Sequence, residues 1–229
     1  MKKEVIVFSL GGSLIVPDKV DYDYLHKFKN FIKILNKKYR IVIVTGGGKT
    51  ARNYISSLRK EKANEYFYSL VGIMSTKLNA RLVSGFFNLK EPIPDNLNDI
   101  KKELSKNSLV ICGALGFQPG MTSDGDAAEI AEYLHANLFV NLTNVDGLYN
   151  KNPVKYNNAI FIPQISYKKF LDAAGHIRYE AGQHFVLDQA AAKIIARAKI
   201  RTLIINGKKL ENLSKYLKGK KFRGTLISA

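Results

Sequence analysis

Cysteine is nearly missing from this sequence, since Cys112 is the only one among 229 residues. A single cysteine excludes an intrachain disulfide and a metal site built from several thiolates. No apolar run approaches the ~20 residues that a membrane-spanning helix needs. Residues 1–7 include the acidic Glu4 and soon reach Gly11, so they are typical of an opening strand rather than a signal peptide. We therefore expect a cytoplasmic protein with no membrane partner.

Negative charge is also scarce. The chain has 19 aspartates and glutamates against 36 lysines and arginines, which gives a formal net charge of +17. Such an excess can indicate nucleic-acid binding or an anionic small substrate. The positive residues are spread along the whole chain, and no long basic tract is interleaved with aromatic residues. We therefore interpret most of the charge as a solvated lysine-rich surface and do not expect a nucleic-acid partner.

Strand-like and helix-like patterns alternate along the chain, and 46% of the residues are hydrophobic. Short apolar runs predict strands at 4–10, 40–45, 108–112, 137–142, 201–205 and 224–228. Apolar residues at helical spacing predict helices around 25–35, from about 50, and around 63–85, 127–134, 168–174, 188–198 and 210–217. This order predicts an α/β protein with a mostly parallel central sheet sandwiched by helices.

The chain is long enough for one domain with a sizeable core. A polar stretch at 150–158 is a reasonable boundary between two fused lobes. We therefore predict a single domain, 1–229, with an N-terminal lobe of about 1–149 and a C-terminal lobe of about 150–229.

Three predicted strands end in glycine-rich turns, at 11–13, 46–48 and 113–120. The carboxyl ends of parallel strands share one sheet edge, and ligands bind there. Glycines let the backbone approach a phosphate closely, and free N–H groups at a helix start can hold it. Lys49 and Arg52 follow the second turn, where cations are unfavourable for the helix dipole unless an anion compensates them. These features predict phosphate binding at this edge.

Two common phosphate-binding motifs are excluded. The segment 48–50 is similar to the end of a Walker A loop, but the spacing requires a glycine where Ile43 stands. No G-x-G-x-x-G motif follows a predicted strand, so a dinucleotide-binding fold is unsupported. Phosphate binding by this chain must use another scaffold.

Several further segments together resemble one known family. They are the glycine turns at 11–13 and 46–52, the segment GIMSTKLNA at 72–80, GFQPG at 116–120, TNVDGLY at 143–149, the pair 187–188 with AKII at 192–195, and the closing 224–225. By these residues the chain resembles the amino-acid kinase superfamily, and within it the uridylate (UMP) kinases of the archaeal type.

This resemblance implies a three-layer α/β/α fold, a homohexamer built as a trimer of dimers, and Mg²⁺-ATP as the phosphoryl donor. It implies UMP as the acceptor of the phosphoryl group. The residues that it places around ATP are Gly11, Gly12, Ser13, Gly48, Arg52, Thr143, Asn144, Tyr149 and Asn152. The residues that it places around UMP are Gly47, Ser69, Phe117, Gln118, Pro119, Gly120, Met121, Thr122 and Ser123.

The implied reaction is in-line phosphoryl transfer between two bound phosphates. Such a transfer needs positioning and cations more than a covalent nucleophile, and the acceptor oxygen is already ionised near neutral pH. The candidate catalytic residues are therefore Arg52 and Lys49, which would stabilise the charge of the transferred group together with Mg²⁺. No metal ligand is predicted from the protein itself.

Some positions depart from the family pattern. Ser9 stands where many relatives have a lysine, and Ser69 stands where the family has an aspartate that contacts the nucleoside. Asn152 and Gln189 likewise replace a family aspartate and proline, and Asp126 replaces an apolar residue. Two alternatives therefore stay open at this point. One is a related kinase that acts on another phosphate or carboxylate, and the other is a nucleic-acid-binding regulator on the same fold.

The remaining polar residues have ordinary interpretations. Asp124 and Asp126 lie where acids cap a helix start and complement its dipole, and Asp188 is interpreted in the same way. Lys193 is interpreted as a solvated surface residue. The aromatic cluster 66–68 is interpreted as core or as a subunit contact, and Cys112 as core packing.

Overall fold

The computed structural model describes residues 3–116, 121–151, 153, 155–176 and 187–229. The strands are β1 (Val5–Leu10), β2 (Arg40–Thr45), β3 (Leu109–Cys112), β4 (Leu138–Thr143), β5 (Leu148–Tyr149), β6 (Phe161–Ile162), β7 (Gln164–Ser166), β8 (Thr202–Asn206) and β9 (Thr225–Ser228). The helices are α1 (Gly12–Ile15), α2 (Tyr22–Asn36), α3 (Gly48–Lys60), α4 (Glu65–Phe87), α5 (Leu97–Lys106), α6 (Ser123–Tyr133), α7 (Tyr167–His176), α8 (Gln189–Ala198) and α9 (Glu211–Leu217).

Seven strands form one sheet in the order β3-β2-β1-β4-β8-β9-β7. The five strands from β3 to β8 run parallel, whereas β9 is antiparallel to β8 and β7 is parallel to β9. The predicted mostly parallel sheet is confirmed. Strands from both sides of the polar stretch 150–158 belong to this sheet, because β4 pairs directly with β8.

Helices cover both faces of the sheet, so the predicted three-layer architecture is also confirmed. Alternate residues of β1 enter two separate cores, with Phe8 on one face and Val7 on the other. The first core includes Phe28 from α2, and the second includes Phe170 from α7 and Cys112 from β3. Both faces are therefore apolar, which explains the nearly uninterrupted apolar strand sequences. None of the helices in the described part of the chain is long and apolar enough to cross a bilayer.

The structure differs from the sequence prediction at short elements. The helix expected from about residue 50 begins at Gly48, and the one-turn helix α1 was not predicted. The polar stretch 150–158 connects two strands that pair with each other, β5 and β6, which are too short to give a periodic pattern. The core interpretation of the aromatic cluster is wrong for Tyr66 and Phe67, which are 48% and 51% exposed.

Candidate active site at the carboxyl edge of the sheet

The glycine-rich turns at 11–13 and 46–48 pack against each other through direct backbone contact. A Cβ atom on Gly12 would lie 2.0 Å from the Gly48 nitrogen, and one on Gly46 would lie 2.6 Å from the Gly12 nitrogen. Gly48 also has a φ of 62°, in the left-handed region where a side chain is strained. Side chains at these positions would push the turns apart. The glycines are therefore required by this contact, which also brings the starts of α1 and α3 together.

The other residues of these turns contact neighbouring elements. Gly11 donates its backbone N–H to the Leu142 carbonyl over 3.1 Å, which joins the first turn to β4. Gly47 lies beside α4, because a Cβ atom on it would come within 3.4 Å of the Ser75 Cβ atom. Ser13 is half-buried on α1. The residues predicted to bind phosphate groups therefore share one edge of the sheet.

Lys49 and Arg52 lie at the start of α3, and both contact the loop that follows α1. Lys49 Nζ lies 3.9 Å from an Asp18 carboxylate oxygen, and a guanidinium nitrogen of Arg52 lies 3.4 Å from the Pro17 carbonyl. The Asp18 side chain is 90% exposed. Because exposed contacts of this length contribute little, and α3 has no acidic residue in its first turn, both cations remain available to an anion.

Asp124 places a carboxylate near the middle of the same edge. Its Oδ1 atom accepts hydrogen bonds from Ser9 Oγ of β1 over 2.5 Å and from Asn141 Nδ2 of β4 over 3.0 Å. Ser9 and Asn141 are register partners on adjacent parallel strands. Burial raises the pKa of Asp124 to about 7, and the charge of Asp188 adds to this, while the two hydrogen bonds oppose it. Asp124 therefore changes its charge close to neutral pH.

Asp124 and Asp126 lie in the first turn of α6, as predicted, but their interpretation as helix caps is wrong. Thr122 is the N-cap of α6, because its Oγ1 atom accepts the backbone N–H of Asp124 over 3.2 Å. The Asp124 carboxyl group instead accepts hydrogen bonds from Ser9 and Asn141, and the Asp126 carboxyl group is buried. The capping interpretation of Asp188 is confirmed, since it accepts the Ala191 N–H at the start of α8 over 2.8 Å. The Thr122 hydroxyl also donates a hydrogen bond to Asp188, which ties α6 to α8.

Asp126 is buried, with 2% of its surface exposed, and its charge acts on Cys112 of the second core. Burial raises its pKa to about 7, and the charges of Glu129 and Asp188 add to this, while a hydrogen bond from the Leu115 backbone amide opposes it. Among the described residues, no group donates a hydrogen bond to its Oδ1 atom. A buried carboxyl group with an unpaired oxygen costs stability once it is ionised.

The residues predicted to bind the nucleoside part of ATP follow β4 at the same edge. Thr143 is half-buried at the end of β4, and Asn144 is exposed. Tyr149 lies on β5, where its ring packs edge-on against Phe161 with 5.4 Å between the ring centroids. Asn152 lies outside the described residues. The described members of this set therefore lie within seven consecutive positions, at the end of β4 and on β5.

Two cations that the sequence did not single out lie beside this group. Lys209 Nζ is 2.8 Å and Arg223 Nε is 3.6 Å from oxygens of Asp146, and the Arg223 guanidinium lies 3.7 Å from the Phe161 ring centroid. Burial by itself would raise the pKa of Asp146, but hydrogen bonds from Lys209 and Asn206 and the two cationic charges lower it below its ordinary value. Asp146 therefore stays ionised and fixes both cations beside the aromatic pair.

The predicted acceptor residues are only partly described. Phe117, Gln118, Pro119 and Gly120 lie outside the described residues. Met121, Thr122 and Ser123 are half-buried at the start of α6. Ser69 is exposed on α4, three residues before Gly72, whose carbonyl is close to Gly47.

Sequence reasoning missed Asp124, Ser9 and Asn141 as one unit. A signal was present, because Ser9 and Asn141 each interrupt an otherwise apolar buried strand near its carboxyl end. A polar residue in a buried strand needs a partner, so two such residues predict a shared polar group at that edge. The identity of that group, however, depends on where α6 packs.

The described part of the chain forms no group of three or more histidine, cysteine, aspartate or glutamate side chains that could hold a metal ion. The carboxylate between β1 and β4 is Asp124. Mg²⁺ usually binds one or two carboxylates together with substrate phosphates rather than a cage of protein ligands. This donor set therefore fits a Mg²⁺ ion that arrives with phosphates.

The fold and this edge define a three-layer α/β protein with an anion-binding site at the carboxyl ends of parallel strands. The model of the amino acid kinase family matches residues 4–206, and the chain belongs to this family.

Similar proteins agree with this assignment. The uridylate kinase of Methanococcus aeolicus is 40% identical over 206 residues, which covers 88% of this chain and 90% of the relative. The uridylate kinase of Methanocaldococcus jannaschii is 37% identical and covers 97% of this chain and 98% of the relative. The crystal structure of uridylate kinase from Archaeoglobus fulgidus superposes with a TM-score of 0.84 at 33% identity, covering 97% of this chain and 99% of that chain.

Proposed function

We propose that this protein is a UMP kinase, which transfers the γ-phosphoryl group of ATP to UMP and releases UDP and ADP. The observation that carries the proposal is the convergence of three strand ends on one edge. There the turns at 11–13 and 46–48 contact each other and the start of α6 lies over β1 and β4. Relatives that are named uridylate kinases, up to 40% identical over most of the chain, support UMP as the acceptor.

The two substrates would divide this edge between them. The ATP phosphates would be surrounded by Gly11, Gly12, Ser13, Gly48 and Arg52. The nucleoside part of ATP would be bound by Thr143, Asn144, Tyr149 and Asn152. Gly47, Ser69 and the stretch 117–123 would receive UMP, with the N–H groups at the start of α6 available to its phosphate. We further propose that the N-terminal lobe, about 1–149, binds the acceptor and also supplies the turns around the ATP phosphates. The C-terminal lobe, about 150–229, would be the ATP-binding lobe that completes the donor site.

The chemistry needs alignment and positive charge. An oxygen of the UMP phosphate attacks the γ-phosphorus while the bond to the β-phosphate oxygen breaks, and no general base is required because that oxygen is already ionised. Lys49 and Arg52 would stabilise the charge on the transferred group, since their contacts among the described residues are long ones, to Asp18 and to the Pro17 carbonyl. Asp124 would hold a Mg²⁺ ion that arrives with ATP, and the ion would supply positive charge to offset the donor phosphates.

An exposed apolar surface on α3 and α4 supports the proposed hexamer. Tyr54, Phe67, Met74 and Leu78 are between 51% and 64% exposed, and the last three recur along one face of α4. Exposed apolar surfaces of this kind often mark protein–protein contacts. We propose that this surface, called the α4 apolar surface below, is a subunit contact in a trimer of dimers.

The single buried thiol, Cys112, fits a cytoplasmic location.

The test is a coupled assay for ADP formation with Mg²⁺-ATP and a panel of UMP, CMP, AMP and GMP. UMP should be the best acceptor. Omission of Mg²⁺ and the Arg52→Ala variant serve as controls, and both should lower the rate strongly. Turnover with none of the four nucleotides, or a clear preference for a purine nucleotide, would contradict the proposal.

A further inference from the structure

The segment 72–80 of α4 is a sequence landmark to which the proposed substrate contacts give no role. Its residues alternate between two environments. Met74 and Leu78 are 64% and 62% exposed, whereas Ser75, Thr76 and Asn79 are at most 6% exposed. Polar side chains that are buried on the inner face of a helix need partners, and these partners show what the segment does.

The segment first binds the end of β2. Asn79 Nδ2 donates a hydrogen bond to the Gly46 carbonyl over 2.7 Å, and Thr45 Oγ1 donates to the Thr76 carbonyl over 2.8 Å. Both contacts are buried, so each is stronger than an equivalent contact in water. They fix the glycine turn that precedes α3 relative to α4.

The same segment binds the end of β3. The Ala114 backbone N–H donates to Thr76 Oγ1 over 2.8 Å, and Thr45 Oγ1 is 3.2 Å from the Cys112 carbonyl. The approach is so close that a Cβ atom on Gly113 would lie 2.7 Å from both the Lys77 nitrogen and Thr76 Oγ1. One helical turn of α4 therefore holds the turns after two neighbouring strands.

The next residue along the chain lies beside a second helix. The Leu115 backbone amide is close enough to the Asp126 carboxyl group of α6 to lower its pKa. On the other side of 117–120, the Thr122 hydroxyl at the start of α6 donates a hydrogen bond to Asp188, the N-cap residue of α8. The described residues on both sides of 117–120 therefore have polar neighbours on other elements.

We infer that Thr76 is a positioning residue for the acceptor nucleotide, which acts by fixing the turn at Gly113 and Ala114 relative to the turn at Gly46 and Gly47. The inference rests on the proposed function, in which the acceptor lies between these two turns and the start of α6. The contacts of the Thr76 hydroxyl group can be made only by a side chain that carries an oxygen atom at this position. Its loss leaves a buried amide without a partner and frees the turn to move.

The first test compares Thr76→Val with Thr76→Ser by steady-state kinetics. Valine keeps the shape of threonine but removes the oxygen that binds Ala114. We expect the KM for UMP to rise roughly tenfold in Thr76→Val, while kcat and the KM for ATP stay within about twofold. Thr76→Ser should restore the KM for UMP. An unchanged KM for UMP in Thr76→Val would overturn the inference.

The matched control is Thr202→Val. Thr202 on β8 is fully buried, and its hydroxyl donates to the Ile200 carbonyl over 2.9 Å, away from both turns. This variant loses the same hydroxyl group and should lose stability without a change in the KM for UMP. An equal rise of this KM in both variants would mean that general destabilisation causes the effect, and the inference would be overturned.

The second test needs no acceptor. Amide hydrogen exchange at Ala114 should become at least tenfold faster in Thr76→Val and stay close to the wild-type rate in Thr202→Val. Unchanged exchange at Ala114 would overturn the inference whatever the kinetics are. If the wild-type protein leaves UMP unphosphorylated but exchange at Ala114 accelerates as expected, the proposed function fails and the fixing of this turn by Thr76 stands.

Discussion

Ser9 Oγ donates a 2.5 Å hydrogen bond to Asp124 Oδ1, and this contact joins β1 to the first turn of α6. Asn141 of β4 donates to the same oxygen over 3.0 Å. A single oxygen of the Asp124 carboxyl group thus accepts hydrogen bonds from two central strands, close to the C-terminal end of each strand. This contact determines where the start of α6 lies relative to the glycine turns, and with it the geometry of the proposed acceptor site.

Replacement of Asp126 should change how stability depends on pH. The pKa of this carboxyl group is about 7 in the folded protein against 3.8 as the ordinary value. Because the folded pKa is raised, the group favours folding at acid pH, and this contribution is lost as pH rises from 3.8 to about 7. Asp126→Asn should therefore gain stability over the wild type across this window, by at most about 1.4 kcal/mol per pH unit.

The measurement is urea unfolding of both proteins at several pH values across that window. Asp23→Asn is the control, because Asp23 also lies in the first turn of a helix, α2, but is exposed. Because its side chain is exposed, the control should change the free energy of unfolding by far less than Asp126→Asn, within about 0.5 kcal/mol. A pH-independent difference for Asp126→Asn would contradict the prediction.

Replacement of Gly12 by alanine should destabilise the protein by more than about 2 kcal/mol. The new Cβ atom would lie 2.0 Å from the Gly48 nitrogen, so the two glycine turns must separate. Gly85→Ala in α4 is the matched control, since nothing lies within 4 Å of its Cβ position. Because alanine is the better helix former, this control should be stabilised by up to about 1 kcal/mol. Thermal and urea unfolding measure both effects, and equal effects of the two substitutions would contradict the packing argument.

Lys49→Ala should lower kcat about a hundredfold or more while leaving stability unchanged or slightly higher. A cation at the start of a helix is unfavourable for the helix dipole, so its removal should stabilise the protein by about 0.3–1 kcal/mol. Lys60→Ala is the control, because Lys60 lies in the last turn of the same helix, where a cation is favourable. The Lys60→Ala variant should lose a little stability and keep full activity.

Arg52→Ala should behave like Lys49→Ala. A loss of stability with full activity in either the Lys49 or the Arg52 variant would exclude that residue from the phosphate site.

Leu78→Asp should lower the oligomeric state. Leu78 is 62% exposed on the α4 apolar surface, and a charge there would be desolvated on assembly. Ile34→Asp on α2 is the control, because Ile34 is 66% exposed but lies away from this surface. Light scattering after size exclusion should give a smaller mass for Leu78→Asp alone. The same mass for both variants and the wild type would remove α4 as the subunit contact.

Much of the fold could be predicted because it depends on local patterns. The runs at 4–10 and 40–45 alternate between two apolar faces, and the glycines that follow stop each strand, so strands and turns were found. The sequence pattern also located Lys49 and Arg52 at the start of a helix. The strands β5 and β6 were missed because two residues give no periodicity.

The polar contacts of the site could not be predicted in the same way. Asp124 and Asp126 lie two residues apart near a helix start, and an acid there usually caps the helix or complements its dipole. In the structure, α6 packs so that the Asp124 carboxyl group meets β1 and β4 while the Asp126 carboxyl group is buried near Cys112. The rotation of a helix about its axis is set by packing, which the local sequence does not reveal.

The sequence by itself determined the order of the longer strands and helices, the glycine turns and the amino acid kinase family, because these follow from side-chain periodicity and short motifs. The tertiary structure alone decided which polar groups meet. Ser9 and Asp124 are 115 positions apart in the chain, and Thr76 and Ala114 are 38 apart. Contacts between such distant residues depend on strand order and on how each helix packs on the sheet, so they exist only once the whole chain has folded.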